Sequence, residues 1–263
     1  MSGVTEQAAD AAIGAAAMAL RLPQVRAEAG RLADDAARAG LTHRAYLAEV
    51  LSTELDARDA RRRERRIAEA RFPRLKRLSE FDLSAVPSIS PASFAAISSL
   101  SFVRAGEPLV ALGDPGTGKT HLLIGLGVAA CEEGMRVRYV TCASLVNELA
   151  EAADERVLSR VVGRYGRFDL LLVDELGYVH LDPRGAELLF QVLTEREERS
   201  SVAVASNAPF SEWGQTFADP RLTAAVVDRM TFRAHILETG TASYRLRATR
   251  AAKAAARSDK EQR

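Results

Sequence analysis

The chain has 263 residues, 47% of them apolar, with 36 Lys or Arg against 35 Asp or Glu and a formal charge of +1. That is a soluble globular composition, enough for one sizeable core plus a smaller domain, and it excludes a uniformly basic nucleic-acid binder: any such attraction is local. The two cysteines, Cys131 and Cys142, stand too far apart for a Cys-x-x-Cys pair and beside no histidine cluster, so neither a disulfide framework nor a zinc site is suggested and both read as reduced core or near-core thiols.

The N-terminal MSGVTEQAADAAIGAAAMALRLP carries an apolar run without a basic n-region and too short to cross a bilayer. No membrane is expected, and a reducing cytoplasm fits. From Ala8 to about Leu78 alanine, leucine, arginine and glutamate dominate, which predicts helix throughout. Gly30 and Gly40 punctuate this stretch. Thr42 reads as an N-cap, with Ala45, Tyr46, Val50 and Leu51 on the apolar stripe beyond it. Some three helices make an all-helical N-terminal domain over residues 1–78.

Phe72-Pro73 and the span LSEFDLSAVPSISPASF, Leu78 to Phe94, end the helical pattern, because proline cannot donate to a helix and restricts its neighbour. The domain boundary is expected there. Residues 79–247 form the second domain, and 248–263 a basic, solvated tail.

Within the second domain, short apolar runs alternate with helical segments. Pro108–Gly113, Val137–Thr141, Leu170–Asp174, Ser201–Ser206 and, more weakly, His235–Thr239 predict strands; Thr120–Glu133, Ala143–Ala153, Arg156–Tyr165 and Arg184–Arg199 predict helices. Apolar strands separated by helices indicate an α/β fold with a parallel sheet covered on both faces.

Gly113-Asp114-Pro115-Gly116-Thr117-Gly118-Lys119-Thr120 matches G-x-x-x-x-G-K-[ST] in full, after a strand and before a helix. Backbone N–H groups of such a loop and the positive end of the next helix converge on one anion. Lys119 would reach the outer phosphates and Thr120 would hold Mg²⁺. His121, next in line, reads as a packing or capping residue or a further nucleotide contact. In LLLVDELG the apolar strand ends in Asp174, placed to orient the hydrated metal, and Glu175, placed to polarise a water. That second carboxylate favours hydrolysis over transfer to a small acceptor. Asn207, closing SVAVASN, either reaches the attacking water or the γ-phosphate or sits in a turn before Pro209. Trp213, the only tryptophan, reads as a packing anchor.

GDPGTGKTHL, DELGY, LLFQVLTEREERS, SNAPFSEWGQTFADPRL, VVDRM and SYRLR, in this order, resemble the IstB-type ATP-binding proteins, AAA+ helpers of insertion-sequence transposition related to DnaC-type helicase loaders. The resemblance covers about Leu41 to Leu246, including THRAYLAEVLSTEL and ARFPRLKRLSEFD. It implies an AAA+ P-loop core with strand order 5-1-4-3-2, ATP-dependent head-to-tail assembly on duplex DNA, and recruitment or stimulation of the same element's transposase. It also implies that Lys119, Glu175, Asn207 and Arg229 are catalytic, Arg229 in trans, and that Arg245 is a second nucleotide-sensing arginine. An arginine supplied by a neighbour neutralises charge in phosphoryl transfer; an ordinary ion pair of Arg229 with Asp228 or Glu238 stays open. The chain departs from the family pattern at Ala208, Glu197 and Phe232, where Arg, Tyr and His are usual.

Asp56 to Leu78 holds ten Lys or Arg against four Asp or Glu. Arg61, Arg62, Arg63, Arg65 and Arg66 are too many for one helix face, so they suit either solvated pairs with Asp59, Glu64 and Glu69 or DNA phosphates; the resemblance implies DNA. A helicase loader and a nucleotide-dependent switch that never hydrolyses ATP are the competing functions. The segment lacks the Cys-rich metal-bound extension some loaders use.

Overall fold

The computed structural model describes residues 5–241 and 243. The chain divides into two compact units, Met1–Arg65 and Arg66–Arg263. One helix crosses the division.

The first unit is helical, as its alanine-rich composition dictates. Helices α1 (Glu6–Ala19), α2 (Pro23–Ala39) and α3 (His43–Ala70) succeed one another through tight breaks. Pro23 opens α2 at its first turn, where its missing N–H costs nothing, and Gly40, with φ +65°, closes it in the left-handed conformation. Thr42 caps α3: its Oγ1 accepts from the Ala45 amide at 3.3 Å. Gly30 does not punctuate anything. It lies within α2 on an open face, where one glycine costs only about 1 kcal/mol of helix propensity. Ala29, Leu32 and Val50, flanked by Val25 and Tyr46, form the small core.

Arg66 starts the second unit inside α3, ahead of the Leu78–Phe94 span. Ile67, Ala70, Phe72 and Leu78 already pack on the core of that unit. The span itself is structured, with 3-10 turns at Leu78–Glu80 and Leu83–Ala85 before α4 (Pro91–Ser98), which Ser90 caps, and α5 (Ser101–Ala105).

The sheet then builds in alternation. Strand β1 (Leu109–Leu112) leads to α6 (Lys119–Glu132), β2 (Val137–Thr141) to α7 (Cys142–Asp154) and α8 (Leu158–Gly166), β3 (Leu170–Leu176) to α9 (Pro183–Arg196), and β4 (Ser201–Ser206) to α10 (Trp213–Phe217), α11 (Pro220–Thr231) and β5 (His235–Glu238). All four pairings are parallel, in the order β2-β3-β4-β1-β5. Reversed, this is 5-1-4-3-2. Alternate residues feed two cores: Leu109, Ala111, Leu170 and Leu172 pack beneath α6, while Val110, Leu171, Val173 and Val204 meet α7, α9 and Trp213. Cys131 and Cys142 are buried and free, and burial pushes both thiols up to about 12. Among the described residues no helix is long and apolar enough to cross a membrane. Tail residues 248–263 and Arg245 lie outside the described residues.

Candidate functional site

Parallel strands put all their carboxyl ends on one edge, and the three central strands β1, β3 and β4 leave their tips side by side. Register sets Leu112 against Ser206 and Leu176 against Ser206, and the Gly113 amide donates to Ser206 O at 3.3 Å. Ligands of α/β sheets bind at such an edge.

The loop from Gly113 to Thr120 rises from β1 and turns into α6. Gly113, Gly116 and Gly118 have φ of +146°, +87° and +103°, values that a side chain resists. Space excludes one at Gly113 too: a Cβ would stand 2.4 Å from Thr239 Oγ1. Asp114 and Pro115 are exposed, whereas Thr117 is buried and its hydroxyl lies 2.5 Å from that of Thr239 and 2.8 Å from Asp114 O. Thr239, at the end of β5, also donates to Leu112 O at 3.0 Å. The loop is thereby clamped between β4 and β5. Gly116, Gly118 and Thr120 keep backbone N–H groups without an acceptor among the described residues, at the N-terminus of a 14-residue helix. This is the donor pattern an anion meets.

Lys119 is buried, and its Nζ donates to Gly113 O at 2.5 Å and Asp114 O at 2.8 Å, so the ammonium is folded over the loop. Half-buried Thr120 is next in the chain. His121 turns away, its Nε2 3.1 Å from Arg77 O and its ring edge-on to Phe81.

Asp174 is buried at the end of β3. Its Oδ1 accepts from the Glu175 amide at 2.9 Å and its Oδ2 from the Tyr139 hydroxyl at 2.8 Å. Burial, then the charge and hydrogen bond of Asp174, raise the Tyr139 phenol above its ordinary range and keep it a donor. Glu175 sits at an irregularity in the β3–β4 ladder with φ +63°, a left-handed conformation costing a non-glycine residue about 1–2 kcal/mol, and its side chain is exposed. Two residues on, Gly177, φ +86°, passes so close to the turn after β4 that a Cβ would lie 3.2 Å from Ala208 Cβ and 3.5 Å from Asn207 Oδ1.

Asn207 Oδ1 is buried and has no hydrogen-bond partner among the described residues, which marks a place for a bound donor such as water. The turn that carries it is pinned from below. Trp213, fully buried, donates its indole N–H to Ser206 Oγ at 3.2 Å and Ala208 O at 3.1 Å.

The chain matches the family model described as IstB-like ATP binding protein over residues 15–252. It belongs to that family. It is 36% identical over 254 residues to a putative insertion sequence ATP-binding protein of Sinorhizobium fredii, covering 96% of this chain and 85% of the relative. It is 35% identical to the insertion sequence IS21 putative ATP-binding protein of Pseudomonas aeruginosa, covering 84% and 83%. Among solved structures, AMPPCP-bound DnaA from Aquifex aeolicus superposes with a TM-score of 0.52 at 20% identity, over 62% of this chain and 50% of that one. DnaI gives 0.52 at 18%, over 62% and 90%. The fold is thus the AAA+ P-loop core, in the strand order this family resemblance implied.

In this IstB-like chain Lys119, Thr120, Asp174, Glu175 and Asn207 are legible in the sequence, and the fold brings all five to one edge. Tyr139 and Thr239 are not legible there, since each is joined to the site only by a neighbouring strand. Arg229 stands at the opposite edge. It lies near the end of α11, its Nε donating to Glu197 Oε2 at 3.0 Å, its Nη1 to Ala225 O at 3.2 Å, and its guanidinium 4.5 Å over the Phe190 ring. Its ion-pair partner is therefore Glu197 rather than Asp228 or Glu238. Strands of four to seven residues separate the two edges, roughly 15–20 Å. Arg61, Arg62, Arg63 and Arg65 are exposed and Arg66 half-buried on α3, with Arg62 paired to Asp59 at 3.3 Å. Among the described residues no three or more His, Cys, Asp or Glu gather as a metal site. A divalent ion beside Thr120 and Asp174 would take its remaining ligands from phosphate and water, which suits Mg²⁺.

Proposed function

We propose that the chain hydrolyses ATP as the helper of an insertion-sequence transposition system, assembling head to tail on duplex DNA and recruiting or stimulating the element's transposase. The observation that carries this reading is the split of one chemistry between two edges. Lys119, Thr120, Asp174, Glu175 and Asn207 are at one, and Arg229, a guanidinium that no rotamer can carry across the sheet, is at the other. Lys119 would bind the outer phosphates; Thr120 and Asp174 would hold Mg²⁺, which neutralises phosphate charge when bound. Glu175 would take a proton from the attacking water that Asn207 orients. A neighbour's Arg229 would complete the site, and a contact between unlike edges propagates as a ring or open helix.

The relatives' names place them in insertion sequences, which favours transposition over helicase loading. Arginines 61, 62, 63, 65 and 66 would contact DNA phosphates, with affinity that falls as salt rises and carries little sequence information. Replacing Glu175 by Gln should abolish turnover while ATP binding and ATP-dependent sedimentation with DNA persist; Lys119→Ala should weaken all three. Wild-type turnover no faster than that of Glu175→Gln, with DNA present, would identify a switch without hydrolysis. Capture of the neighbouring transposase only with ATP tests the partner.

A further inference from the structure

The phosphate loop holds more hydroxyl contacts than protons to fill them. Thr117 and Thr239 are both buried, with their hydroxyl oxygens 2.5 Å apart; Thr117 Oγ1 also stands 2.8 Å from Asp114 O, and Thr239 Oγ1 3.0 Å from Leu112 O. Each hydroxyl has one proton to donate, so three contacts share two protons. Donating both to the carbonyls would leave two hydroxyl oxygens facing each other at 2.5 Å with no proton between them. Two arrangements remain. In one, Thr117 donates to Thr239 and Thr239 to Leu112 O; in the other, Thr239 donates to Thr117 and Thr117 to Asp114 O. Leu112 O keeps a donor in the second as well, because the Thr239 amide donates to it at 2.7 Å.

The choice between them turns on Asp114 O. Lys119 Nζ donates to it at 2.8 Å and to Gly113 O at 2.5 Å, and the Thr117 amide approaches it at 3.4 Å. An ammonium has three protons. Held by one outer phosphate, as with a diphosphate, Lys119 keeps two for the loop carbonyls; held by two, as with a triphosphate, it keeps one. One carbonyl must then be released. Among the described residues no other group donates to Gly113 O, whereas the Thr117 hydroxyl is already within reach of Asp114 O. Asp114 O is therefore the bond that Lys119 can give up.

We infer that Thr117 sets the preference for a nucleoside triphosphate over the diphosphate. When Lys119 turns to two phosphates, the Thr117 proton rotates from Thr239 to Asp114 O and replaces the ammonium bond lost there. Thr117 acts through Lys119, as a positioning and specificity-determining residue, and Thr239 supplies the alternative acceptor that lets its proton turn. Without the Thr117 hydroxyl, a triphosphate would leave Asp114 O with the long amide contact alone, while a diphosphate would leave its Lys119 bond in place. The difference falls on one nucleotide and spares the other. The inference rests on Lys119 binding the outer phosphates, as proposed above; it is independent of DNA, of assembly and of Arg229.

Dissociation constants for a non-hydrolysable ATP analogue and for ADP, measured on the full-length chain with Mg²⁺ by displacement of a fluorescent nucleotide, test it. Thr117→Val keeps the branched shape and removes the donor; it should weaken the analogue about tenfold and leave ADP within about twofold. Thr117→Ala, a second variant without the donor, should shift the ratio in the same way, and Thr117→Ser should restore it. Thr239→Val breaks the same Thr117–Thr239 bond from the other side yet leaves Thr117 able to donate to Asp114 O, so its ratio should stay within about twofold of wild type. Equal losses of the analogue and ADP in Thr117→Val, or a Thr239→Val ratio shifted as far as that of Thr117→Val, overturn the inference and leave a simple clamp. If Lys119→Ala binds the analogue as tightly as wild type, Lys119 does not grip the phosphates, and both this inference and the reading beneath it fall.

Discussion

Asp174 gives one carboxylate oxygen to the Glu175 amide and the other to Tyr139, so its orientation is fixed before any ligand arrives. A hydrogen bond to an ionised carboxylate contributes about 1.5–3 kcal/mol, and groups that orient a metal-holding side chain typically change metal affinity about tenfold or more when removed. Tyr139→Phe keeps the ring and loses only the donor. The Mg²⁺ concentration for half-maximal hydrolysis should rise about tenfold, while binding of metal-free ATP, measured by fluorescence displacement, stays as in wild type. A loss of both would mean that the strand, not the carboxylate, depends on that hydroxyl. The placement of Asp174 at the tip of β3 was legible because an acid after four apolar residues is a local pattern. Tyr139 was not, since VRYVT reads as an ordinary buried strand until the β2–β3 pairing sets it beside β3. Thr239 is hidden for the same reason on the other side, across β1.

The same contrast between local and distant signals governs the helices. Gly40 and Thr42 were readable as stop and start, each acting within four residues. Glu54 was not. It reaches from α3 to the first turn of α2, accepting from Gln24 N at 2.7 Å and Val25 N at 3.4 Å while Arg58 Nε donates to it at 2.9 Å, and it is only 3% exposed. Burial alone would raise its pKa, but the two amides and Arg58 together outweigh burial and hold it below the usual carboxylate range. A group whose folded pKa is depressed lends stability that is present above its unfolded pKa and lost as pH falls through the folded value. Glu54→Gln should therefore destabilise the helical unit at neutral pH by about 1–2 kcal/mol. In thermal melts of the full chain tracked by circular dichroism, the gap between wild type and variant should narrow as pH is lowered through the carboxylate range. A gap that stays constant would show that the carboxylate charge does not stabilise this cap. The division at Arg65/Arg66 was illegible on similar grounds: α3 runs through it unbroken, and only the packing of Ile67, Ala70 and Phe72 assigns the residues after Arg65 to the second unit.

For the molecule as a whole, the decisive relation is the distance between Arg229 and the phosphate loop, and neither motif carries it. In the isolated chain Arg229 is held by Glu197, Ala225 O and the Phe190 ring; the ion pair is partly exposed, 22% and 41%, and such pairs contribute at most about 1 kcal/mol. That is weak enough for a neighbour's triphosphate to compete for the guanidinium. A composite site makes a prediction that no single-chain site can make. Lys119→Ala damages the phosphate half and leaves Arg229 intact; Arg229→Ala damages the arginine and leaves the phosphate half intact. Each alone should be nearly inactive at every protein concentration. Mixed in equal amounts with DNA and ATP, they should recover activity up to roughly a quarter of the wild-type rate, the chance that a random neighbour pair in a head-to-tail array joins the two intact halves in the right order, and less to the extent that Lys119→Ala assembles poorly. Recovery should grow with total protein concentration, because the active species is a pair. Activity in Arg229→Ala alone would place the phosphoryl-stabilising charge elsewhere, and a mixture as inactive as its components would remove the composite site and the trans role of Arg229 with it.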